Sequence, residues 1–137
     1  MIYIFDSSFL SALVIPDEKN LQVDKMYSKV ENDDERYAPH LLWYELTNVF
    51  KNLIRRNRFT VTEVLQLYPR LDAIKFTCDF ASGTDYSMKL LDLCNKYNLS
   101  SCDAAYLELA ERKKAVLCTM DENLIKAAKK HGVVTLK

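Results

Sequence analysis

Glycine is scarce in this sequence: Gly83 and Gly132 are the only two among 137 residues. Loops that cradle nucleotide phosphates, such as GxGxxG and GxxxxGK[ST], need several glycines because the backbone must approach the phosphates closely. Neither pattern occurs in the chain. Nucleotide binding by a glycine-rich loop is therefore not expected.

Histidine and paired cysteine are also scarce. The two histidines are His40 and His131, and the four cysteines form no CxxC pair. The chain therefore lacks the usual spacings of structural zinc sites and the Ser-His-Asp or Cys-His orders of nucleophilic catalysis. We expect buried free thiols at all four cysteine positions. They are Cys78, Cys94, Cys102 and Cys118.

Long apolar runs and an excess of one charge are absent as well. No run approaches the length of about 20 residues that crosses a bilayer. The beginning of the chain, MIYIFDSSFL, lacks the positive start of a signal peptide, so we expect a cytoplasmic protein without a membrane partner. Basic and acidic residues number 19 each, giving a formal net charge of zero. This argues against coating nucleic acid by bulk attraction, but not against a nuclease whose acidic site is offset by basic neighbours.

The apolar residues, 49% of the chain, indicate short buried strands that alternate with helices. We therefore predict one domain over residues 1–137, a three-layer α/β/α sandwich around a small, mostly parallel sheet. Strands are predicted at 2–5, 37–38, 115–119 and 133–136, with an edge strand or extended connection at 74–78. Helices are predicted at 9–14, 18–32, 40–56, 60–73, 84–97 and 122–130, and one more is opened by Asp103.

Three aspartates stand at strand ends or helix starts. Asp6 follows the strand 2–5, Asp103 opens a helix, and Asp121 stands just past the strand 115–119. Taken singly, each aspartate is explained by helix capping. In an open α/β sheet, however, ligands bind outside the carboxyl ends of the strands. We therefore expect these three carboxylates to meet there.

Glu45 is the fourth acid of interest. It lies in the amphipathic helix 40–56, four residues from both Leu41 and Val49, so its carboxylate borders an apolar face. A surface residue paired with a basic neighbour is the simpler explanation. If Glu45 joins the aspartates, the mutual repulsion of the carboxylates requires a cation. Oxygen ligands favour Mg²⁺ or Mn²⁺, which activates water for phosphodiester cleavage.

The order FDSSFL, WYELTNVF, SSCDAAYLELA and CTMDENL resembles the PIN domain, and within it the VapC toxins of VapBC toxin–antitoxin pairs. The likeness spans essentially the whole chain. It implies a PIN-like fold and a Mg²⁺- or Mn²⁺-dependent endoribonuclease that forms a homodimer and is inhibited by a VapB-like antitoxin. The catalytic and metal-binding set that it implies is Asp6, Glu45, Asp103 and Asp121.

The resemblance also implies supporting residues. Ser8 matches a small polar residue beside the first acid, and Thr119 matches a hydroxyl near the last. Asn123 stands nearest to the position where some relatives carry a further acid. Its amide offers a carbonyl oxygen to a metal or holds a metal-bound water.

Substrate and partner contacts are less specific in the sequence. Arg55, Arg56 and Arg58 follow the helix of Glu45 and are the favoured phosphate contacts for RNA, although solvated helix-end charges explain them as well. Four aromatic residues either line an antitoxin groove or belong to the core. They are Trp43, Tyr44, Phe50 and Tyr68.

Three functions stay open at this point. The first is a metal-dependent ribonuclease, and the second is a catalytically weak PIN-like module that binds RNA or protein. The third is a phosphatase or phosphotransfer domain that uses Asp6 as nucleophile. Against the third, Asp6 is followed by Ser7 and Ser8, not by a second acid two residues on.

Overall fold

The computed structural model describes residues 1–16 and 20–137. Within them, four strands form one parallel sheet in the order β3-β2-β1-β4, with helices on both faces, as predicted. The strands are β1 (Ile2–Phe5), β2 (Glu35–Pro39), β3 (Thr77–Asp79) and β4 (Val116–Cys118). The helices are α1 (Ser7–Val14), α2 (Leu21–Tyr27), α3 (Leu42–Arg55), α4 (Val61–Leu65), α5 (Tyr68–Asp72), α6 (Thr84–Tyr97), α7 (Ser101–Lys113) and α8 (Glu122–His131).

The strand order contains one reversal of direction. The chain moves from β1 to β2 to β3 along one side of the sheet, and then crosses back to place β4 on the other side of β1. Because parallel crossovers are right-handed, the two directions put their helices on opposite faces. The reversal leaves a crevice between the carboxyl ends of β1 and β4, which is where open α/β sheets bind ligands.

Helix α7 is the central helix of the fold. Its residues Ala104–Ala110 are all buried, and it packs against β1, β2 and β4. The buried stretch includes Glu108, whose carboxylate accepts a 2.9 Å hydrogen bond from Nε of Arg112. Arg112 also binds Asp79, with Nη2 to Oδ2 at 2.6 Å, so its guanidinium ties α7 to the end of β3. This pairing is what allows a carboxylate inside the core.

Four helix N-termini lie at the carboxyl edge of the sheet. Strands β1, β2 and β4 lead into α1, α3 and α8, and a helix that returns over a parallel sheet begins where its strand ends. Helix α7 leads into the start of β4, so its own beginning is at the same edge. The first turns of α3 and α7 carry Glu45 and Asp103, while Asp6 and Asp121 cap α1 and α8.

The predicted helix 60–73 is wrong as a single element. The capping box of Thr60 and Glu63 is present, but the segment forms two short helices, α4 and α5, instead of one. Pro69 lies in the first turn of α5 and has no N–H to bond back to Leu65. Only one residue in each short helix, Val64 and Leu71, is buried.

Two further boundaries differ from prediction. The predicted start of the helix 18–32 lies outside the described residues, and α2 ends at Tyr27, where the Ser28 hydroxyl bonds back to the Lys25 carbonyl at 2.6 Å. The predicted strand 133–136 is reduced to one parallel bridge between Leu117 and Thr135. Gly132 ends α8 at φ +85°, as predicted, and β4 is too short to pair with more of the segment.

Two remaining expectations concern the cysteines and membranes. All four cysteines are free thiols, as predicted, but only Cys118 is buried, and the prediction of burial is wrong for Cys78, Cys94 and Cys102, which are partly exposed. Across residues 1–16 and 20–137, no helix combines the length and apolar character that a membrane span requires.

Candidate metal centre at the carboxyl edge of the sheet

Asp6 lies between the ends of β1 and β4. Its backbone N–H donates to the Cys118 carbonyl at 3.1 Å, which joins the two strands, and its side chain is 3% exposed. The Oδ1 atom accepts hydrogen bonds from the Phe9 N–H at 2.9 Å and the Ser8 hydroxyl at 2.7 Å. The Thr119 hydroxyl donates to Oδ2. Asp6 is therefore both the cap of α1 and a carboxylate fixed in the crevice.

Ser8 and Thr119 hold the two strand ends together around Asp6. The Ser8 hydroxyl accepts from the Met120 N–H, and the Thr119 hydroxyl accepts from the Asp121 N–H, both at 3.0 Å. Each hydroxyl thus connects the first carboxylate to the segment that carries the last. Both residues contact Asp6, and their supporting role at a metal site stays a prediction.

Burial is the dominant influence on Asp6. It raises the pKa of Asp6 to about 6, although the hydrogen bonds from Thr119, Phe9 and Ser8 act in the opposite direction. The charge of Asp103 raises the pKa further. A carboxylate that is costly to ionise in its own protein is one that a bound cation would stabilise.

Glu45 is held by a tyrosine that the sequence reasoning missed. The Tyr106 hydroxyl donates to Oε1 of Glu45 at 2.6 Å, and Tyr106 itself is buried. Partial burial raises the pKa of Glu45, the Tyr106 hydrogen bond opposes that rise, and the charge of Asp103 adds to it. Asp103 and Tyr106 are three residues apart on α7 and share one helix face, and that spacing was the available signal.

Asp103 interacts electrostatically with each of the other three carboxylates. Partial burial raises its pKa, and so does the charge of Asp121. Its own charge raises the pKa of Asp6 and of Glu45. Asp103 is therefore in electrostatic contact with each of the other three predicted acids, one pair at a time.

Asp121 also satisfies the simpler explanation from capping. Its Oδ1 accepts from the Leu124 N–H at 2.9 Å, which caps α8. Asn123 follows in the first turn of that helix, exposed to solvent. Capping and a place in the acidic group are compatible, because the helix N-terminus is itself at the carboxyl edge.

The fit of these residues to a metal ion depends on donor type and on spacing. Within residues 1–16 and 20–137, no three His, Cys, Asp or Glu side chains are grouped closely enough to hold one ion. The donor type fits, since four carboxylates are the oxygen ligands that Mg²⁺ and Mn²⁺ prefer. Because no such close group is present among the described residues, the carboxylate side chains would have to move closer together to bind one ion.

The three arginines lie away from the acids. Glu45 is in the first turn of α3 and Arg55 in the last, so they are about 15 Å apart along the helix axis at 1.5 Å per residue. Arg56 and Arg58 follow beyond that end of the helix. Their contact with RNA stays a prediction, and the part of the RNA that they would contact lies far from the carboxylates.

The four aromatic residues do not form one surface. Phe50 is buried, and Trp43 is half-buried with its ring stacked on Phe76 at 5.3 Å. Tyr44 and Tyr68 are exposed, at 67% and 39%. The core explanation therefore holds for Phe50, and the antitoxin groove stays a prediction for Tyr44 and Tyr68.

Sequence comparison assigns the chain to a family. The PIN domain family model matches residues 3–130, and the chain belongs to this family. Among characterised proteins it is similar to Ribonuclease VapC3 of Pyrobaculum aerophilum, with 26% identity over 124 residues, 90% of this chain and 92% of the relative.

Solved structures share the fold. PAE2754 from Pyrobaculum aerophilum superimposes with a TM-score of 0.72 and 24% identity, covering 98% of this chain and 83% of that one. VapBC2 from Rickettsia felis, solved bound to a DNA fragment from its promoter, superimposes with a TM-score of 0.65 and 12% identity, covering 100% and 98%. At these identities the likeness establishes the fold alone.

Proposed function

We propose that the chain is a Mg²⁺- or Mn²⁺-dependent endoribonuclease, the toxin of a type II toxin–antitoxin pair, with residues 1–137 acting as one PIN domain. The observation that carries the proposal is the coupling of Asp103 to the other three carboxylates at the strand-order reversal. The ribonuclease name of the similar VapC3 protein supports the substrate class.

The proposed roles of the residues follow from their positions. Asp6, Glu45, Asp103 and Asp121 would hold the divalent cation. When bound, such an ion activates water and neutralises charge on the scissile phosphate. Ser8 and Thr119 orient Asp6, Tyr106 orients Glu45, and Asn123 adds an amide oxygen beside Asp121. The N-termini of α1 and α8 favour an anionic group at this edge.

The proposed partners are RNA, a VapB-like antitoxin and a second copy of the chain, in the cytoplasm. The VapBC2 structure, a toxin–antitoxin assembly by its name, supports the antitoxin. An antitoxin that covers the carboxyl edge would block both the acids and the path of the substrate.

Cleavage of single-stranded RNA with and without divalent metal tests the proposal. We expect cleavage in Mg²⁺ or Mn²⁺, none in a chelator, and recovery when the metal is restored. Metal-independent cleavage would contradict the role of the acids. RNA binding without cleavage in either metal would favour the alternative, a catalytically weak PIN-like binding module.

Tyr106→Phe tests the support of Glu45. Removing the 2.6 Å hydrogen bond leaves the carboxylate in place but no longer oriented. We expect the Mg²⁺ concentration for half-maximal cleavage to rise about 10-fold or more, as for other groups that orient metal ligands. The free energy of unfolding should fall by about 1 kcal/mol. Metal titration of cleavage and urea denaturation measure the two effects.

Tyr27→Phe is the matched control for that experiment. Tyr27 is partly buried, whereas Tyr106 is fully buried, and the Tyr27 ring packs against Phe5. An unchanged metal requirement in Tyr106→Phe, or an equal change in both variants, would contradict the role given to Tyr106.

A further inference from the structure

A basic cleft lies between the end of α6 and one face of α8. It encloses about 470 Å³ and is outside the acidic group itself. Its charged side chains are three lysines, Lys96, Lys126 and Lys130, and no acidic residue among those that the structure describes lines it. Lys126 and Lys130 are four residues apart on α8, so their Cβ atoms are about 6 Å apart on one helix face. The cleft therefore presents concentrated positive charge in a protein of zero net charge.

The cleft opens beside the acids. Asn123, on its wall, is two residues from Asp121 in the first turn of α8. Asn98, on the opposite wall, ends α6 in the left-handed conformation (φ +53°) and leads within a few residues to Asp103. Lys126 lies five residues past Asp121, about 7.5 Å along the helix. An RNA strand that extends from the acidic group in this direction would therefore enter the cleft directly.

The cleft wall is fixed by a hydrogen-bond chain across three helices. The Tyr97 hydroxyl is 2.7 Å from Nδ1 of His131, and Nε2 of His131 is 2.6 Å from a carboxylate oxygen of Glu111. These residues come from α6, α8 and α7, so the chain holds the ends of the helices together. A wall held in this way does not need to be ordered by the ligand, which favours binding.

We propose that this cleft binds the sugar–phosphate backbone of single-stranded RNA immediately beside the bond that is cleaved. Lys126 and Lys130 contact successive phosphates from one helix face. The amides of Asn98 and Asn123 supply donors and acceptors for ribose hydroxyls or base edges. The inference rests on the proposed ribonuclease function and adds to it the direction in which the substrate leaves the acids.

Lys126→Gln and Lys129→Gln form a matched pair for the test. Lys129 is exposed on the same helix but does not line the cleft. Each variant removes one charge and keeps a polar side chain of similar length, so bulk electrostatics change equally. The probe is a randomised-sequence, single-stranded RNA whose binding is followed by fluorescence anisotropy in a chelator, so that cleavage does not interfere.

We expect Lys126→Gln to reduce the slope of log K against log salt concentration by about 0.7, the value for one phosphate contact on a single strand. Affinity near 0.1 M salt should fall about 5-fold, the value of that slope over one decade of salt. Lys129→Gln should change both quantities much less. Acetylation footprinting should show RNA protecting Lys126 and Lys130 but not Lys129.

Equal effects of the two variants, or equal protection of the three lysines, would mean bulk attraction and overturn the cleft proposal. Wild-type cleavage in Mg²⁺ or Mn²⁺ separates this failure from failure of the proposed function. If the wild type cleaves RNA and the pair behaves alike, only the cleft is wrong. If the wild type neither binds nor cleaves RNA, both proposals are wrong. Binding of an acidic protein segment to the cleft instead of RNA would also overturn the cleft proposal.

Discussion

Asp103→Asn is expected to lower metal-dependent RNA cleavage by about 100- to 1000-fold while the protein stays folded. Asp103 is the acid whose charge acts on the pKa of Asp6 and Glu45, and its loss would remove one of the four proposed metal ligands. A cation supplies several kcal/mol of transition-state stabilisation, and each 1.36 kcal/mol corresponds to about tenfold in rate. Cleavage rates at saturating Mg²⁺ or Mn²⁺ measure the effect.

The stability of Asp103→Asn should change by less than about 1 kcal/mol, because two effects oppose each other. Losing the charge relieves repulsion with Asp121, but it also removes a favourable acid from the first turn of α7. Asp85→Asn is the control, since Asp85 stands in the first turn of α6. Normal cleavage by Asp103→Asn, or equal loss in Asp85→Asn, would contradict the proposed site.

Asp6→Asn is expected to be more stable than the wild type at neutral pH in the metal-free protein. Burial raises the pKa of Asp6 to about 6, so keeping the group ionised in the folded state at pH 7 costs about 2–3 kcal/mol relative to the unfolded chain, where it is already ionised. The amide carries no charge, its oxygen still accepts from the Phe9 N–H and the Ser8 hydroxyl, and its NH2 group can donate to the Thr119 hydroxyl in place of the bond that Oδ2 accepted. Cleavage should nevertheless be lost with the carboxylate.

The pH dependence gives the sign test for that prediction. A carboxyl whose pKa is higher in the folded state binds protons on folding, so acidification from pH 7 towards pH 4 stabilises the wild type. The advantage of Asp6→Asn should therefore shrink over this range and disappear near pH 4. Urea denaturation at several pH values in a chelator measures it, and a constant difference would contradict the buried charge.

Asp6→Ala separates charge from hydrogen bonding at the same position. Alanine also removes the charge, but it leaves the Phe9 N–H and the Ser8 and Thr119 hydroxyls without their acceptor. We expect Asp6→Ala to be about 2 kcal/mol less stable than Asp6→Asn, from the lost helix cap and unsatisfied buried groups. Equal stability of the two variants would mean that the hydrogen bonds around Asp6 contribute nothing.

Local patterns were sufficient where neighbours in sequence decide the structure. The helix 84–97 was predicted at its observed bounds because Gly83 begins it and its apolar spacing continues to Tyr97. The helix 60–73 was not, because Pro69 divides a segment whose apolar spacing is otherwise continuous. The segment 133–136 has the composition of a strand, yet the short β4 leaves it one bridge.

The sequence by itself determined the fold class, the family resemblance and the identity of the acids, since periodicity and residue order are properties of the chain. Only the tertiary structure decided which of those acids interact and what holds them. The reversal of strand order brings the ends of β1 and β4 together, so Thr119 meets Ser8 and Asp6 across 111 and 113 positions of sequence. The Tyr106 contact with Glu45 and the lysine cleft also need the packing of separate helices: spacing places residues on one helix face, but only packing decides what that face meets.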